Sequence, residues 1–160
     1  MEELKILKEV AKDLPRFEDG RIDYSNSDLA VTVTIFIKYD SEILLLKRSE
    51  KVKGGQGKWF TVTGFFDEYK PPSEKAIEEI EEETGIKEDQ IEEVKLGKIY
   101  RLQKPNKLFF IYPLLAELRN KPEVNLDWEH TDYRWIKPHD IEKFDTLSET
   151  KHILARVLGL

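Results

Sequence analysis

The chain has 160 residues, with 26 Lys plus Arg against 32 Asp plus Glu, a formal net charge of −6 and no cysteine. That length suits one domain with a single sizeable core, and the missing cysteines exclude disulfides, a thiolate zinc site and a cysteine nucleophile. Twelve of the acids and three lysines lie between Asp67 and Glu93. The acidity is therefore one patterned block, which argues against a uniformly solvating protein or a nucleic-acid coat.

Residues 2–14 place Leu4, Leu7, Val10, Ala11 and Leu14 at three- and four-residue spacing, which predicts an amphipathic helix ended by Pro15. Residues 1–14 are expected as a helical appendage of a single domain spanning 1–160. Phe17 to Asp28, with Asp19-Gly20 inside it, reads as a loop or tight hairpin. The β-branched run Leu29 to Lys38 predicts a strand, followed after a turn by a second, Ile43 to Lys47. The longest nearly apolar stretch, Leu29 to Ile37, is far short of the roughly 20 residues that span a bilayer. No basic and apolar leader opens the chain, so a soluble cytoplasmic protein is the expectation.

A basic, glycine-rich loop leads to a short strand, Trp59 to Thr63, closing at Gly64. Pro72 to Thr84 then reads as a helix with Ser73 as N-cap and Gly85 as its stop. Strands are expected at Val94 to Leu102, Leu108 to Leu118 and Tyr133 to Ile136, then a helical turn after Pro138 and a last amphipathic helix, Leu147 to Leu158. With no repeat and no long linker, these elements make one α/β domain on a mixed sheet.

In the run Glu78 to Glu83, Glu79, Glu82 and Glu83 are related by three- and four-residue steps and share one helix face, beside an arc of Ala76, Ile77, Ile80 and Thr84 that can face the core. Like charges at i, i+4 each cost roughly 0.2–0.5 kcal/mol in an isolated helix, a cost that a divalent cation reverses in sign. Oxygen-only ligands favour a hard ion, Mg²⁺ or Mn²⁺. Taken alone, such a run is most often a solvated face; here it stands at fixed distances from Gly64, Gly85 and Ile86.

That spacing resembles the signature of the Nudix hydrolases, G-x5-E-x7-R-E-U-x-E-E-x-G-U, with U a bulky aliphatic residue. Gly64, Glu79, Ile80, Glu82, Glu83, Gly85 and Ile86 match it. Lys70 stands where the signature has its first Glu, and Glu78 where it has Arg. In the family that Arg helps to orient the neighbouring Glu, a role that is here either unfilled or supplied from elsewhere, by Lys75 or Lys70. Leu44 to Arg48, Gly57-Lys58-Trp59, and the later Trp135 and Pro138 extend the similarity to roughly residues 29–158.

The resemblance implies an α/β/α sandwich and Mg²⁺-dependent hydrolysis of a pyrophosphate linkage in a nucleoside diphosphate derivative or a nucleoside triphosphate, with Mn²⁺ as substitute. It makes Glu79, Glu82 and Glu83 metal ligands, joined by the Thr63 carbonyl, with Glu83 the most damaging single substitution. Glu129 is the first candidate for a general base outside the helix, set against an ordinary loop acid; His130 and Asp132 are weaker, a lone polar-loop histidine being most often solvated. A homodimer is a family-derived expectation, with the N-terminal helix as its contact.

Between Lys47 and Lys58 five basic residues face only Glu50, and Arg48 and Lys58 are expected to meet substrate phosphates, whereas Lys51 and Lys53 read as solvated. Gly54 to Gly57 is no phosphate-cradling loop, because Val52 and Trp59 occupy the required Gly and Ser/Thr positions; it reads as a flexible turn. Phe66 is the expected substrate-binding aromatic, from a set with Phe65, Tyr69, Tyr100 and Tyr133 that could stack a base. A small nucleotide is the expected partner, with no membrane and no specific nucleic acid. Lys70 and Glu78 motivate the alternative of a catalytically weak or inactive Nudix-fold module that binds a nucleotide or a protein. A third reading makes the acidic helix a protein-contact surface only.

Overall fold

A computed structural model describes residues 2–159, so Met1 and Leu160, the ends of the expected domain, lie outside the described residues. A mixed eight-stranded sheet runs through the middle of the chain. Its strands are β1 (Leu29–Tyr39), β2 (Glu42–Arg48), β3 (Trp59–Phe60), β4 (Val62–Phe65), β5 (Ile91–Leu96), β6 (Tyr100–Lys104), β7 (Lys107–Leu118) and β8 (His130–Ile136). The helices are α1 (Lys5–Ala11), α2 (Pro72–Thr84) and α3 (Thr150–Leu158). β1 and β7 run parallel over ten residues, and every other pairing is antiparallel.

Alternation along the central strands divides the apolar residues between two layers. Val31, Val33, Ile35 and Ile37 of β1, with Leu44 and Leu46 of β2 and Leu114 of β7, meet Leu7 of α1 and Ala76 and Ile80 of α2. Phe36, Ile43, Leu45, Ile111 and Leu115 face the other way, onto Ile153 and Leu154 of α3. This is the expected α/β/α sandwich. Among the described residues no helix is long and apolar enough to cross a membrane.

Several boundaries differ from expectation for local reasons. The strand expected at Trp59 to Thr63 is two, because buried Thr61 donates its hydroxyl to the Ile35 carbonyl at 2.7 Å. The chain changes partner there, from β2 to β1. Val94 to Leu102 likewise divides at Gly97, whose N–H bonds to the Pro113 carbonyl and whose Cα lies against the end of α3, leaving a β carbon only 3.3 Å from the Arg156 carbonyl. Ser73 is exposed and is not the cap of α2: Pro71 holds that position and Pro72 is the first helical residue, its fixed φ already helical. Gly85 ends the helix at φ 75° as expected.

The N-terminal segment is built into the domain. Leu4, Leu7 and Ala11 are buried in the first layer, so the apolar face of the helix is covered within the chain. Tyr112 donates its hydroxyl to the Glu3 carbonyl at 2.7 Å. Arg16 and Ile22 form a single antiparallel bridge, the tight hairpin, and Ile22 N–H then bonds to the Asp67 carbonyl, at the start of the loop before α2.

Candidate active site

The acidic helix is placed by its apolar arc. With Ala76, Ile80 and Thr84 fully buried, Glu79 and Glu83 are carried beneath the sheet while Glu82 remains exposed. Gly64 is the reason Glu79 fits: a β carbon at that position would lie 2.5 Å from Glu79 Oε1. The signature glycine thus serves a close approach of carboxylate to backbone.

Glu83 is deeply buried, with its side chain 2% exposed, and its Oε2 has no hydrogen-bond partner. Burial, followed by the charges of Glu79, Glu129 and Asp127, pushes its carboxyl well above the ordinary range. Glu79 is raised too, by burial first and by Glu82, against the pull of Lys75. An unpartnered buried oxygen costs about 1–3 kcal/mol, and a second raised carboxylate beside it adds repulsion. An all-oxygen donor set of this kind fits a hard divalent cation.

Among the described residues no group of three or more His, Cys, Asp or Glu side chains converges to hold an ion. Glu82 stands in solvent, and Glu79 Oε1 is engaged at 3.2 Å by Lys75 Nζ, which also meets Asp67 Oδ1 at 3.1 Å. Burial alone would lower the Lys75 ammonium, but Glu79 and Asp67 outweigh it and hold it above the ordinary lysine value. Lys70, the first departure from the signature, contacts Glu78, the second, and lies 3.3 Å from Glu68.

The long loop after β7 brings a second acid group to this helix. Asn125 N–H bonds to the Thr84 carbonyl, and Ser49 N–H to that of Glu129. Glu129 thereby reaches the site half-buried, and burial together with Asp127 raises its carboxyl to about 7. His130 is not the solvated histidine expected. It is buried, with Nδ1 2.9 Å from Asp127 Oδ1 and Nε2 3.7 Å from Glu83 Oε1. Burial lowers its pKa, against the opposing pull of Asp127. The Asp-x-x-His spacing across a turn before a strand is the sequence signal that could have revealed this pair. Asp132 lies instead on the exposed side of β8, paired with Arg134 at 2.7 Å.

On the other face of the sheet lies a cleft of about 720 Å³. Its floor is Thr32 and Thr34 of β1, Thr63 and Phe65 of β4, and Phe109 and Ile111 of β7, and its rim includes Arg48, Lys58, Lys104 and Glu129. The helix carboxylates do not line it; Gly64 and Glu129 are where the two regions adjoin. Arg48 Nε donates to the Gly54 carbonyl at 2.8 Å, and Lys58 Nζ pairs with Asp145 at 3.0 Å. The Gly54 to Gly57 segment is therefore a held turn: Gly55 has φ 66° and packs on Leu147 so closely that a β carbon would be 2.5 Å from Leu147 Cδ2.

Thr63, Arg48, Lys58 and Glu129 thus share one cleft. Phe66 does not join them: its ring is fully buried against Tyr112, edge to face at 5.1 Å, and its carbonyl accepts the Tyr24 hydroxyl. The exposed neighbour Phe65 lines the cleft instead, stacked on Tyr24 at 5.7 Å. Tyr69 stays exposed, with Arg16 and Lys8 over its ring, and Tyr100 stacks on His152.

The NUDIX domain family model matches residues 28–157. No curated protein matches the chain in sequence. Among solved structures, the MutT protein of Methanosarcina mazei Go1 is 23% identical, with 82% of this chain and 94% of that one covered at a TM-score of 0.67. A C. elegans Ap4A hydrolase in a binary complex is 22% identical over 79% of this chain and 93% of that one, at 0.64. The NUDIX domain of Shewanella oneidensis NrtR, complexed with ADP ribose, is 15% identical over 80% and 84%, at 0.63.

Proposed function

The chain belongs to the NUDIX family, whose hydrolases act on phosphorus-containing anhydrides, and we propose that it cleaves a pyrophosphate linkage in a nucleoside diphosphate derivative or nucleoside triphosphate with Mg²⁺, for which Mn²⁺ can substitute. The observation that carries this reading is the unpartnered buried Oε2 of Glu83 beside Glu79, beneath a glycine that a β carbon would obstruct. Family members of this kind generally use divalent metals. Glu79, Glu83 and the exposed Glu82 would hold the ion, with the Thr63 carbonyl as a further oxygen. Once bound, it neutralises phosphate charge and makes a water nucleophilic.

The protein's own residues supply the rest. Arg48 and Lys58 face the phosphates from the rim of the cleft. Phe65 takes the stacking role that sequence reading gave to Phe66. Glu129, with a carboxyl near neutrality, accepts the proton of the attacking water, in the range where a general base works well. Residues 1–160 act as one cytoplasmic domain.

The exposed position of Glu82 favours a second reading, a nucleotide-binding module that does not cleave. Metal-dependent release of a nucleoside monophosphate, lost in Glu83→Gln, supports the hydrolase. Tight nucleotide binding that ignores metal and survives Glu83→Gln supports the module.

A further inference from the structure

The two departures from the signature touch each other. Lys70 Nζ donates to Glu78 Oε2 and lies 3.3 Å from Glu68 Oε1, with the lysine side chain only 18% exposed. A surface ion pair by itself says little. These positions, however, are the ones at which the signature demands a glutamate and then an arginine. Because residues 70 and 78 meet in space, the signature's residues would make the same contact with the signs exchanged.

Glu79, the residue that the signature arginine helps to orient, is held from elsewhere. Lys75 precedes it by one helical turn and reaches its Oε1 at 3.2 Å, with a side chain 6% exposed and a second tie to Asp67. With a buried cation already on Glu79, position 78 can carry an acid, and position 70 a cation to match it.

Resting on the hydrolase reading, we propose that Lys70 and Glu78 form one sign-reversed clasp between the loop before α2 and the helix, and that Lys75 is the positioning residue for Glu79 in place of the missing arginine. The two departures are then one compensated exchange, and the orienting function is kept.

A double-mutant cycle tests this with Lys70→Glu, Glu78→Arg and the two combined, read by melting temperature and by kcat and KM on ADP ribose or a nucleoside triphosphate with Mg²⁺. Lys70→Glu is expected to lower the melting temperature and to reduce kcat several-fold at nearly constant KM, because it faces Glu68 and Glu78 with a third acid. The double variant is expected to regain both, to within about twofold in kcat, since residues in contact are not additive. If Lys70→Glu does not fold, Lys70→Met and Glu78→Gln provide the same cycle through neutral side chains.

Lys75→Met is expected to reduce kcat about tenfold or more, the scale of losing an orienting contact, while Lys75→Arg retains it. In the background of the exchanged pair Lys75→Met costs less, because an arginine now stands beside Glu79. Independent effects of Lys70 and Glu78 on melting temperature overturn the clasp, and a Lys75→Met protein with altered melting but wild-type kcat overturns the positioning role. A chain that cleaves nothing yet shows the melting-temperature coupling fails the hydrolase reading alone.

Discussion

At the scale of single residues the proposed chemistry rests most on Gly64, Glu83 and Glu129. Gly64→Ala introduces a β carbon where Glu79 Oε1 would be 2.5 Å away, so the carboxylate must move. Displacing a reacting geometry by an ångström costs about 10²-fold, and kcat of Gly64→Ala is expected to fall by about that much while the melting curve remains cooperative. Glu129 has its carboxyl at about 7 in the metal-free fold; as a proposed base it must be deprotonated, so kcat of the wild type is expected to rise with pH along an acid limb that bound Mg²⁺ draws below that value. Glu129→Gln is expected to lose about 10²-fold or more in kcat together with that acid limb, as a pH–rate profile would show. The burial of Glu79 and Glu83 beside the apolar arc was legible from helical spacing, whereas the choice between Phe65 and Phe66 was not. Adjacent residues leave a strand on opposite sides, and only the pairing of Phe65 with Thr32 decides which one faces the cleft. The burial of His130 was not legible because its partners, Asp127 and Glu83, come together only when the loop after β7 folds against α2.

Among the elements, strand and helix order follows the apolar periodicity closely, and the disagreements lie where a tertiary contact intervenes. Thr61 and Gly97 divide expected strands because one side chain and one close helix approach interrupt the ladders. The N-terminal helix reads as an appendage in sequence, since its spacing shows an apolar face and not what covers it. In the fold Leu7 is fully buried. Leu7→Ala is expected to destabilise the chain by about 2–5 kcal/mol, and denaturant unfolding would measure this. Tyr24, from the same segment, donates to the Phe66 carbonyl at 2.6 Å. Tyr24→Phe is expected to lose about 1 kcal/mol while preserving the ring behind Phe65.

The net charge of the whole molecule, −6, conceals a buried concentration of acid around α2. Glu129 titrates near 7 in the fold against an ordinary value of 4.5, so the folded chain binds more protons than the unfolded one within that window. Glu79 and Glu83 are raised in the same direction. Stability of the metal-free protein is therefore greatest below the window and declines as pH rises through it. Melting temperatures in EDTA are expected to fall between pH 5 and about 7, with Mg²⁺ reducing or reversing that slope because a bound cation favours the ionised carboxylates.

On the proposed function, these carboxylates serve metal-dependent cleavage of a phosphorus anhydride. Product analysis after incubation with ADP ribose, a dinucleoside polyphosphate and a nucleoside triphosphate tests it most directly. A nucleoside monophosphate is expected from at least one of them with Mg²⁺, and none with EDTA or in Glu83→Gln. Equal product with EDTA, or nucleotide binding that survives Glu83→Gln with no turnover of any of the three, would contradict it.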